Sequence, residues 1–299
     1  MYQNDGADDL GPDSLLWRWA GDTRIAFLGG TIGLLQLMHP AIGAGVMEHS
    51  DFFGDPFDRV FRSLPPILGA VYDGPDAAET GRWVREQHRT IKGVDGQGRS
   101  YHALQPETYW WAHATFQFMA EQVVDRFDDH HLTPDEREQL YREGITWYRR
   151  YGVSDRVVPS TRAAFQDEWD RVCEEVLERN DAVDFVLRML DRNHLDRPMR
   201  VELPRPFTRL SPIVGLRPVA RLLSVPARIS AVGGLPAPVR ERLGIPWSRA
   251  DQRRLDALEL AVRKTWRFVP FSVRWQPRAQ DGWKRVRAEA RGETWRAAS

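Results

Sequence analysis

Apolar residues recur along much of this chain at intervals of three and four, which is the spacing of one face of an α-helix. The stretch 76–93 shows this pattern most clearly. Its apolar stripe consists of Ala77, Gly81, Val84, His88 and Ile91. A stripe of this kind faces the protein core, so the imidazole of His88 is predicted to point inward, where a polar ring needs a partner.

The ends of this helix carry recognisable start and stop residues. Asp76 is predicted to cap the first turn, with Glu79 three residues later as its reciprocal partner. Gly93 is predicted to take the left-handed position that closes the helix. Arginine and lysine side chains fill the remaining surface.

Similar periodicity elsewhere predicts an all-α protein. Further helices are expected over residues 22–39, 41–49, 106–127, 133–152, 160–179, 182–192, 237–243, 248–266 and 279–290. Residues 59–63 look helical, but Pro65 and Pro66 should kink or stop that helix. Residues 203–236 mix prolines and glycines with apolar residues, which predicts a long irregular connection.

The apolar segment 25–47 is long enough to suggest a membrane span. It contains glycines together with Gln36, His39 and Pro40, which favour a buried, broken helix. The acidic N-terminus lacks an export signal, so we expect a cytoplasmic protein. We predict a flexible lead over residues 1–20, a single all-α domain over 21–290 and a short tail over 291–299.

Composition narrows the possible partners. The 42 basic residues equal the 42 acidic ones, so no overall field favours nucleic acid. The single cysteine, Cys173, excludes an internal disulfide framework. The zinc motif H-E-x-x-H, the di-iron motif E-x-x-H, the haem motif C-x-x-C-H, the hydrolase motif G-x-S-x-G and the Walker phosphate loop are all missing.

Histidines in apolar or aromatic surroundings remain as candidates for chemistry: His39, His49, His88, His102 and His113. His88 ranks first, because Gly81 on the same stripe would leave room for the edge of a porphyrin. Arg85, Arg89 and Lys92 could pair with haem propionates. Trp110, Trp111, Phe116 and Phe118 of the long aromatic helix could form the pocket walls. A hydrogen-bonded core histidine beside a solvated basic face remains the alternative.

A series of short motifs appears in a characteristic order. The series is Gln36-Leu37-Met38-His39-Pro40, Gly45-Val46-Met47-Glu48-His49-Ser50, Asp55-Pro56 with Arg59, Arg62 and Ser63, His88 with Gly93, then Tyr101, Ala103, Pro106 and Trp111-Ala112-His113-Ala114-Thr115. In this order the chain resembles the MpaB-like oxygenase family, which is related to the rubber oxygenase known as latex clearing protein. The resemblance covers about residues 21–176, with a weaker match at 235–278 that includes Leu243-Gly244-Ile245-Pro246-Trp247.

The resemblance implies an all-helical fold that holds haem b in a pocket between core helices and uses molecular oxygen to cleave carbon–carbon double bonds of isoprenoids. It makes His88 the proximal iron ligand. We further predict cofactor-binding positions at Arg85, Arg89, His39 and His113. Arg59, Arg62 and Ser63 occupy the positions of the family's Arg-x-x-Lys-Thr element. Arg59 and Ser63 are then expected to orient oxygen or developing charge on the distal side.

Two positions depart from the family pattern, with Arg62 for lysine and Ser63 for threonine. Arginine stays charged and is a poor iron ligand, whereas serine keeps the hydroxyl. The hypothesis is therefore a haem-b oxygenase with an apolar small-molecule substrate, possible peripheral membrane contact and no nucleic-acid partner. Two alternatives stay open: a non-catalytic haem- or lipid-binding protein, and a cofactor-free helical interaction protein whose histidines are core residues.

Overall fold

The computed structural model describes residues 10–50, 56–191 and 217–293; the side chains of residues 56–61, 217 and 219–221 lie outside the description. The helices are α1 Leu15–Trp19, α2 Ile25–Leu37, α3 Pro40–His49, α4 Pro56–Tyr72, α5 Ala77–Glu86, α6 Pro106–Phe127, α7 Pro134–Arg150, α8 Arg162–Arg171, α9 Asp181–Leu190, α10 Arg217–Gly233, α11 Ala237–Arg242, α12 Arg249–Thr265, α13 Phe271–Arg274 and α14 Pro277–Glu289. Strands β1 Lys92–Val94 and β2 Ser100–His102 pair antiparallel. The predicted all-α class is confirmed.

Helix α2 lies at the centre of the molecule. It packs against α6 on one side and α10 on the other. Leu28, Ile32, Leu34 and Leu35 are almost completely buried. A helix that is apolar on every face is typically a core helix, and this burial accounts for the apolar segment that the sequence singles out.

The chain bends sharply between α2 and α3. His39 adopts an extended backbone conformation before Pro40, as a residue before proline favours. At this bend the side-chain amide of Asn180 donates to the carbonyl of Leu37, and the backbone N–H of Glu178 donates to the carbonyl of Met38. Both distances are 2.8 Å. Among the described helices, none is long and apolar enough by itself to cross a bilayer, and the pair α2 and α3 reaches that length only with a 99° bend.

Two helix boundaries follow the sequence signals closely. Helix α6 has the predicted bounds, with Pro106 in its first turn. Thr133 and Glu136 form the predicted reciprocal capping box at the start of α7. Gly152 has a φ of 67°, which ends this region in the left-handed conformation. These signals act through hydrogen bonds and backbone conformation within a few residues.

Prolines stop fewer helices than the sequence predicts. Helix α4 continues through Pro65 and Pro66, and α10 runs through Pro226. The prediction was a kink or a stop at Pro65 and Pro66, and the helix does not stop there. The predicted irregular connection is wrong over residues 217–233, which form α10. Residues 203–216 lie outside the described part. Both helices are held by packing, α4 against α5 and α14, and α10 against α2, which outweighs the lost backbone hydrogen bonds.

The N-terminal boundary also differs from the prediction. Residues 10–20 do not form part of a flexible lead, because Leu16 and Trp17 of α1 are buried in the core. The hydroxyl of Tyr72 donates to the Trp17 carbonyl, and Ser14 caps the helix through the Trp17 N–H. The packed domain therefore includes residues that the sequence assigned to the lead.

Candidate functional site

His88 lies in the turn that follows α5, and it is half-buried. The predicted long helix ends at Glu86, Asp76 makes no side-chain cap, and Gly93 belongs to β1 instead of a left-handed helix end. The imidazole Nδ1 of His88 donates to the carbonyl of Val84 at 2.8 Å. A neutral ring with its proton on Nδ1 carries its lone pair on Nε2, the arrangement that a histidine metal ligand requires.

Helices α4 and α5 bring the predicted distal residues to the same end of the molecule as His88. They are joined by the short segment 73–76 and pack along each other as an antiparallel pair. Their register is marked by Gly69, where an added Cβ would lie 2.8 Å from the side chain of Thr80. Counting away from this contact along both helices, Ser63 lies near the level of Glu86, which is two residues before His88.

Of the two predicted distal residues, Ser63 has a described side chain and Arg59 does not. Ser63 is half-buried in the middle of α4. The backbone of Arg59 belongs to the same helix, but its side chain lies outside the described residues. The proximity of Ser63 to His88 and the orientation of the Arg59 side chain both stay predictions.

Gly81 does not leave space for a porphyrin. An added Cβ there would lie 2.5 Å from the carbonyl oxygen of Arg150 and 3.2 Å from the N–H of Tyr151. The glycine lets the end of α7 approach α5, so the predicted cleft on this stripe is wrong. The stripe itself is buried as expected at Ala77, Gly81 and Val84.

The predicted propionate-binding arginines already have protein partners. Arg85 donates to the carbonyl of Gly152 at 3.1 Å and pairs with Glu86 at 2.7 Å. Arg89 is 77% exposed, with its nearest carboxylate oxygen, on Glu86, at 3.7 Å. Arg89 is therefore the more available of the two cations. Lys92 is exposed on β1.

Aromatic side chains of α6 pack mainly against the protein core. Trp110 contacts Tyr148 and Phe165, and Trp111 packs against Trp169 with ring centroids 4.9 Å apart. The α6 residue that contacts His88 is Tyr109, at 5.7 Å between ring centroids in an edge-to-face arrangement. Tyr109 was not among the predicted pocket residues, although its position one turn before His113 places it on the same helix face.

His113 joins α6 to α7. Its Nε2 donates to the carbonyl of Gly144 at 2.9 Å, and its Nδ1 is buried without a hydrogen-bond partner. Burial lowers the pKa of His113 to about 3. Tyr151 lies between His113 and Tyr109, with centroid distances of 5.9 Å and 5.5 Å. His113 thus supports the wall behind Tyr109 without contacting His88 in the described structure.

His39 occupies the bend between α2 and α3. Its Nδ1 is buried without a hydrogen-bond partner, and burial lowers its pKa to about 4. Its ring stacks near Trp111 at 6.5 Å. The cofactor-binding role of His39 stays a prediction.

Burial of these two histidines predicts a pH dependence of stability. Both titrate near 6.5 in the unfolded chain, but the folded protein protonates them only near pH 4 and pH 3. Between the lowered pKa of each histidine and pH 6.5, the unfolded chain binds more protons than the folded protein. The free energy of unfolding is therefore highest above pH 6.5 and falls as the pH drops below that value. We expect a loss of about 1.4 kcal/mol per pH unit for each histidine, measurable by urea unfolding between pH 6.5 and 5.

Variants separate this effect from general acid sensitivity. His113→Phe is expected to reduce the slope by about half, whatever its effect on stability at pH 7. His131→Ala, which removes an exposed histidine, is expected to leave the slope unchanged. An unchanged slope in His113→Phe would show that the protonation of this residue is not linked to unfolding.

A second feature that sequence reasoning missed holds the hairpin after His88. Tyr101 on β2 donates a short hydrogen bond to the carboxylate of Glu48 at the end of α3. Gly93 lies against both, since an added Cβ would be 2.6 Å from Glu48 Oε2 and 2.8 Å from the Tyr101 hydroxyl. Burial and the neighbouring carboxylate raise the pKa of Tyr101 to about 12. The motif order contained all three residues, but nothing in their spacing indicated this contact.

The described residues contain no group of three or more histidine, cysteine, aspartate or glutamate side chains that could hold a metal ion by themselves. Haem requires only one protein ligand to iron, and the Nδ1–H···O=C contact of His88 fits that role. The donor chemistry at His88 therefore fits haem, whereas the space that the sequence assigned to the ring at Gly81 is filled by protein.

Comparison with known proteins agrees with the motif order. Residues 17–265 match the family described as ER-bound oxygenase mpaB/B'/Rubber oxygenase, catalytic domain. An uncharacterized protein of Mycobacterium bovis and another of Mycobacterium tuberculosis are each 24% identical to this chain over 245 residues, covering 79% of the chain and 87% of the relative. No solved structure matches the chain significantly. The match over residues 17–265 shows that this protein belongs to the mpaB/rubber oxygenase catalytic-domain family.

Proposed function

We propose that this protein is a haem-b-dependent oxygenase that uses His88 as the iron ligand and cleaves a carbon–carbon double bond of an isoprenoid or another apolar small molecule. Membership of an oxygenase family supports the reaction class. The observation that carries the assignment of the ligand is the 2.8 Å contact between His88 Nδ1 and the Val84 carbonyl. When bound, haem supplies the activation of molecular oxygen.

The carbonyl of Val84 sets the tautomer and the orientation of the proposed iron ligand, His88. Its carbonyl holds the ring proton on Nδ1, which keeps the lone pair on Nε2 and fixes the rotation of the ring. Tyr109 packs edge-to-face against the imidazole and limits its movement. The Glu48–Tyr101 contact fixes the hairpin after His88, so both ends of the ligand turn are anchored.

The proposed distal residues lie on α4. Ser63, in the middle of this helix, offers a hydroxyl that would orient a polar oxygen species by hydrogen bonding. Arg59 would stabilise developing negative charge. Arg62 stands where the family has lysine, and because a guanidinium stays protonated it would contribute charge but not iron ligation.

Oxygen consumption tests the catalytic part of the proposal. Protein reconstituted with haemin is expected to take up oxygen in the presence of a polyunsaturated isoprenoid. Arg59→Ala is expected to lower the rate by at least about 100-fold while haem content is retained, since the loss of a group that stabilises transition-state charge costs about 100- to 1,000-fold. Arg82→Ala, on the exposed face of α5, serves as the control with normal uptake. Normal turnover in Arg59→Ala would show that the distal assignment is wrong.

A non-catalytic haem- or lipid-binding protein is the second candidate. Gly81 favours the lipid-binding form of this candidate, because the space expected for the porphyrin edge is filled by the end of α7. The same experiment separates the two functions. Haem binding without oxygen uptake, with any isoprenoid offered, would support the binding protein.

A further inference from the structure

The outward face of α12 carries a regular stripe of basic and apolar residues. It lies opposite Leu255 and Val262, which are buried against the protein core. Its members follow one another at intervals of three and four residues, which is the spacing of one helix face. All of them are exposed: Arg249, Arg253, Ala257, Leu260 and Lys264. Together with Arg267 and Phe268 in the turn after α12, these residues are called the basic–apolar stripe.

Two of the three acidic residues of α12 are engaged away from this stripe. Asp251 is half-buried and faces Arg254, at 3.1 Å, and Arg228 of α10. Glu259 is half-buried and pairs with a side chain of α6 at 2.8 Å. The third, Asp256, is exposed at the edge of the stripe. One carboxylate therefore lies beside the cations of the stripe.

The basic residues of the stripe outnumber this carboxylate. Arg249, Arg253 and Arg267 form no ion pair within residues 10–50, 56–191 and 217–293. Lys264 lies 3.5 Å from Asp129, but the two side chains are 62% and 71% exposed. An ion pair that is this open to water contributes little. The stripe therefore carries an excess of positive charge.

Large apolar side chains are exposed in the same region. Phe268 is 73% exposed and Leu260 is 55% exposed. The guanidinium of Arg267 lies 4.8 Å from the centre of the Phe268 ring, so a cation accompanies the aromatic side chain. The neighbouring helix α10 adds Leu222 and Leu223, which are 73% and 43% exposed. Such a concentration of exposed apolar side chains is typical of a surface that contacts a partner or a membrane.

We infer that the basic–apolar stripe is a docking surface for an anionic lipid bilayer. Leu260 and Phe268 enter the interfacial layer, while Arg249, Arg253 and Arg267 contact lipid phosphates. Long basic side chains suit this arrangement, because they bury their alkyl stems and keep the charge at the level of the headgroups. A nucleic acid would engage the cations but leave both apolar side chains in water. The inference does not depend on haem binding.

Sedimentation with extruded vesicles tests this inference. The protein is expected to bind vesicles made of equal parts of phosphatidylcholine and phosphatidylglycerol at least about tenfold more tightly than vesicles of phosphatidylcholine alone. Added salt is expected to weaken this binding. Each cation near an anionic bilayer strengthens binding about fivefold, so Arg249→Gln/Arg253→Gln is expected to weaken it about 25-fold. Phe268→Ser is expected to weaken it about tenfold.

Two exposed residues elsewhere provide matched controls. Arg82→Gln removes an exposed arginine of α5, and Val94→Ser removes an exposed apolar side chain of β1. Both variants are expected to bind the mixed vesicles as the wild-type protein does. The replaced side chains are exposed in every variant, so the helical circular dichroism is expected to stay unchanged.

A dye at position 260 distinguishes insertion from adsorption by charge alone. Cys173, the single cysteine, is buried, so an environment-sensitive thiol dye is expected to react at Leu260→Cys. The emission of this dye is expected to shift to shorter wavelength when mixed vesicles are added. The same dye at Val94→Cys, on β1, is expected to show no shift.

Several results would overturn the inference. They are equal affinity for the two kinds of vesicle, absence of vesicle binding by the wild-type protein, and unchanged binding in a folded Arg249→Gln/Arg253→Gln variant. Binding without an emission shift at Leu260→Cys would also overturn it. Self-association in solution that is lost in Phe268→Ser would show that a second copy of the chain covers the stripe instead.

Discussion

Replacement of Arg24 by methionine is expected to lower the free energy of unfolding by about 3–5 kcal/mol, because it leaves a buried carboxylate without its partner. Arg24 and Asp22 are each only 3% exposed at the side chain, and their closest approach is 2.7 Å. Arg24 also donates to the Phe127 carbonyl at 2.6 Å and to Asp128 at 2.9 Å. One side chain therefore ties the start of α2 to the end of α6.

The surroundings of Arg24 increase this cost. Its guanidinium lies 5.6 Å from the ring of Trp19 and 5.3 Å from that of Trp266. Such cation–π contacts are stronger when the cation is shielded from water. Methionine fills part of the space but satisfies neither Asp22 nor the Phe127 carbonyl.

Equilibrium urea unfolding measures the effect. Arg149→Met provides a matched control, since Arg149 forms an ion pair with Asp155 in which the side chains are 57% and 49% exposed. A loss of less than about 1 kcal/mol is expected for that exposed pair. The double variant Asp22→Asn/Arg24→Met is expected to recover part of the lost stability. Equal effects of Arg24→Met and Arg149→Met would contradict the buried network.

Local signals in the sequence predicted the helices best. Thr133 and Glu136 specify the start of α7 through hydrogen bonds within four residues. The local signals at Asp76 and Gly93 did not act in the same way, because Asp76 makes no side-chain cap and Gly93 lies in β1. Helix α6 was equally well defined, with Pro106 in its first turn. The family resemblance rested on motifs spread over much of the chain, and the family match over residues 17–265 confirmed it.

Features that depend on distant contacts were predicted less well. Pro65, Pro66 and Pro226 are accommodated in helices because those helices pack against other parts of the protein. The stripe of α5 correctly indicated which face is buried, but not that the end of α7 covers Gly81. Periodicity identifies the buried face of a helix and carries no information about its partner.

The second large effect is expected at His88. Replacement by alanine removes the nitrogen that would bind iron, whereas Val84 and Tyr109 retain their backbone positions. Loss of a hydrogen-bond partner behind a metal ligand alone costs about 10- to 100-fold in affinity, so loss of the ligand itself is expected to exceed 100-fold for haem. His49→Ala is the matched control, because His49 is an exposed histidine whose ring contacts the Lys92 carbonyl.

Folding must be unchanged for this comparison to be informative. His88 is half-buried in a turn, so alanine is expected to leave the helical circular dichroism and the urea midpoint close to those of the wild-type protein. Added imidazole is expected to restore part of the haem spectrum in His88→Ala by occupying the vacated ligand position. Rescue by imidazole would distinguish ligation from a purely structural role of the ring.

The assignment of His88 as the iron ligand is tested most directly by titrating haemin into the wild-type protein and into His88→Ala while the Soret absorption is followed. We expect the wild-type protein to give a shifted Soret band that saturates at one equivalent of haemin, His49→Ala to behave in the same way, and His88→Ala to give no saturable shift. A wild-type protein that fails to bind haemin, or a His88→Ala variant that binds it with the wild-type spectrum and affinity, would contradict the assignment of His88 as the iron ligand.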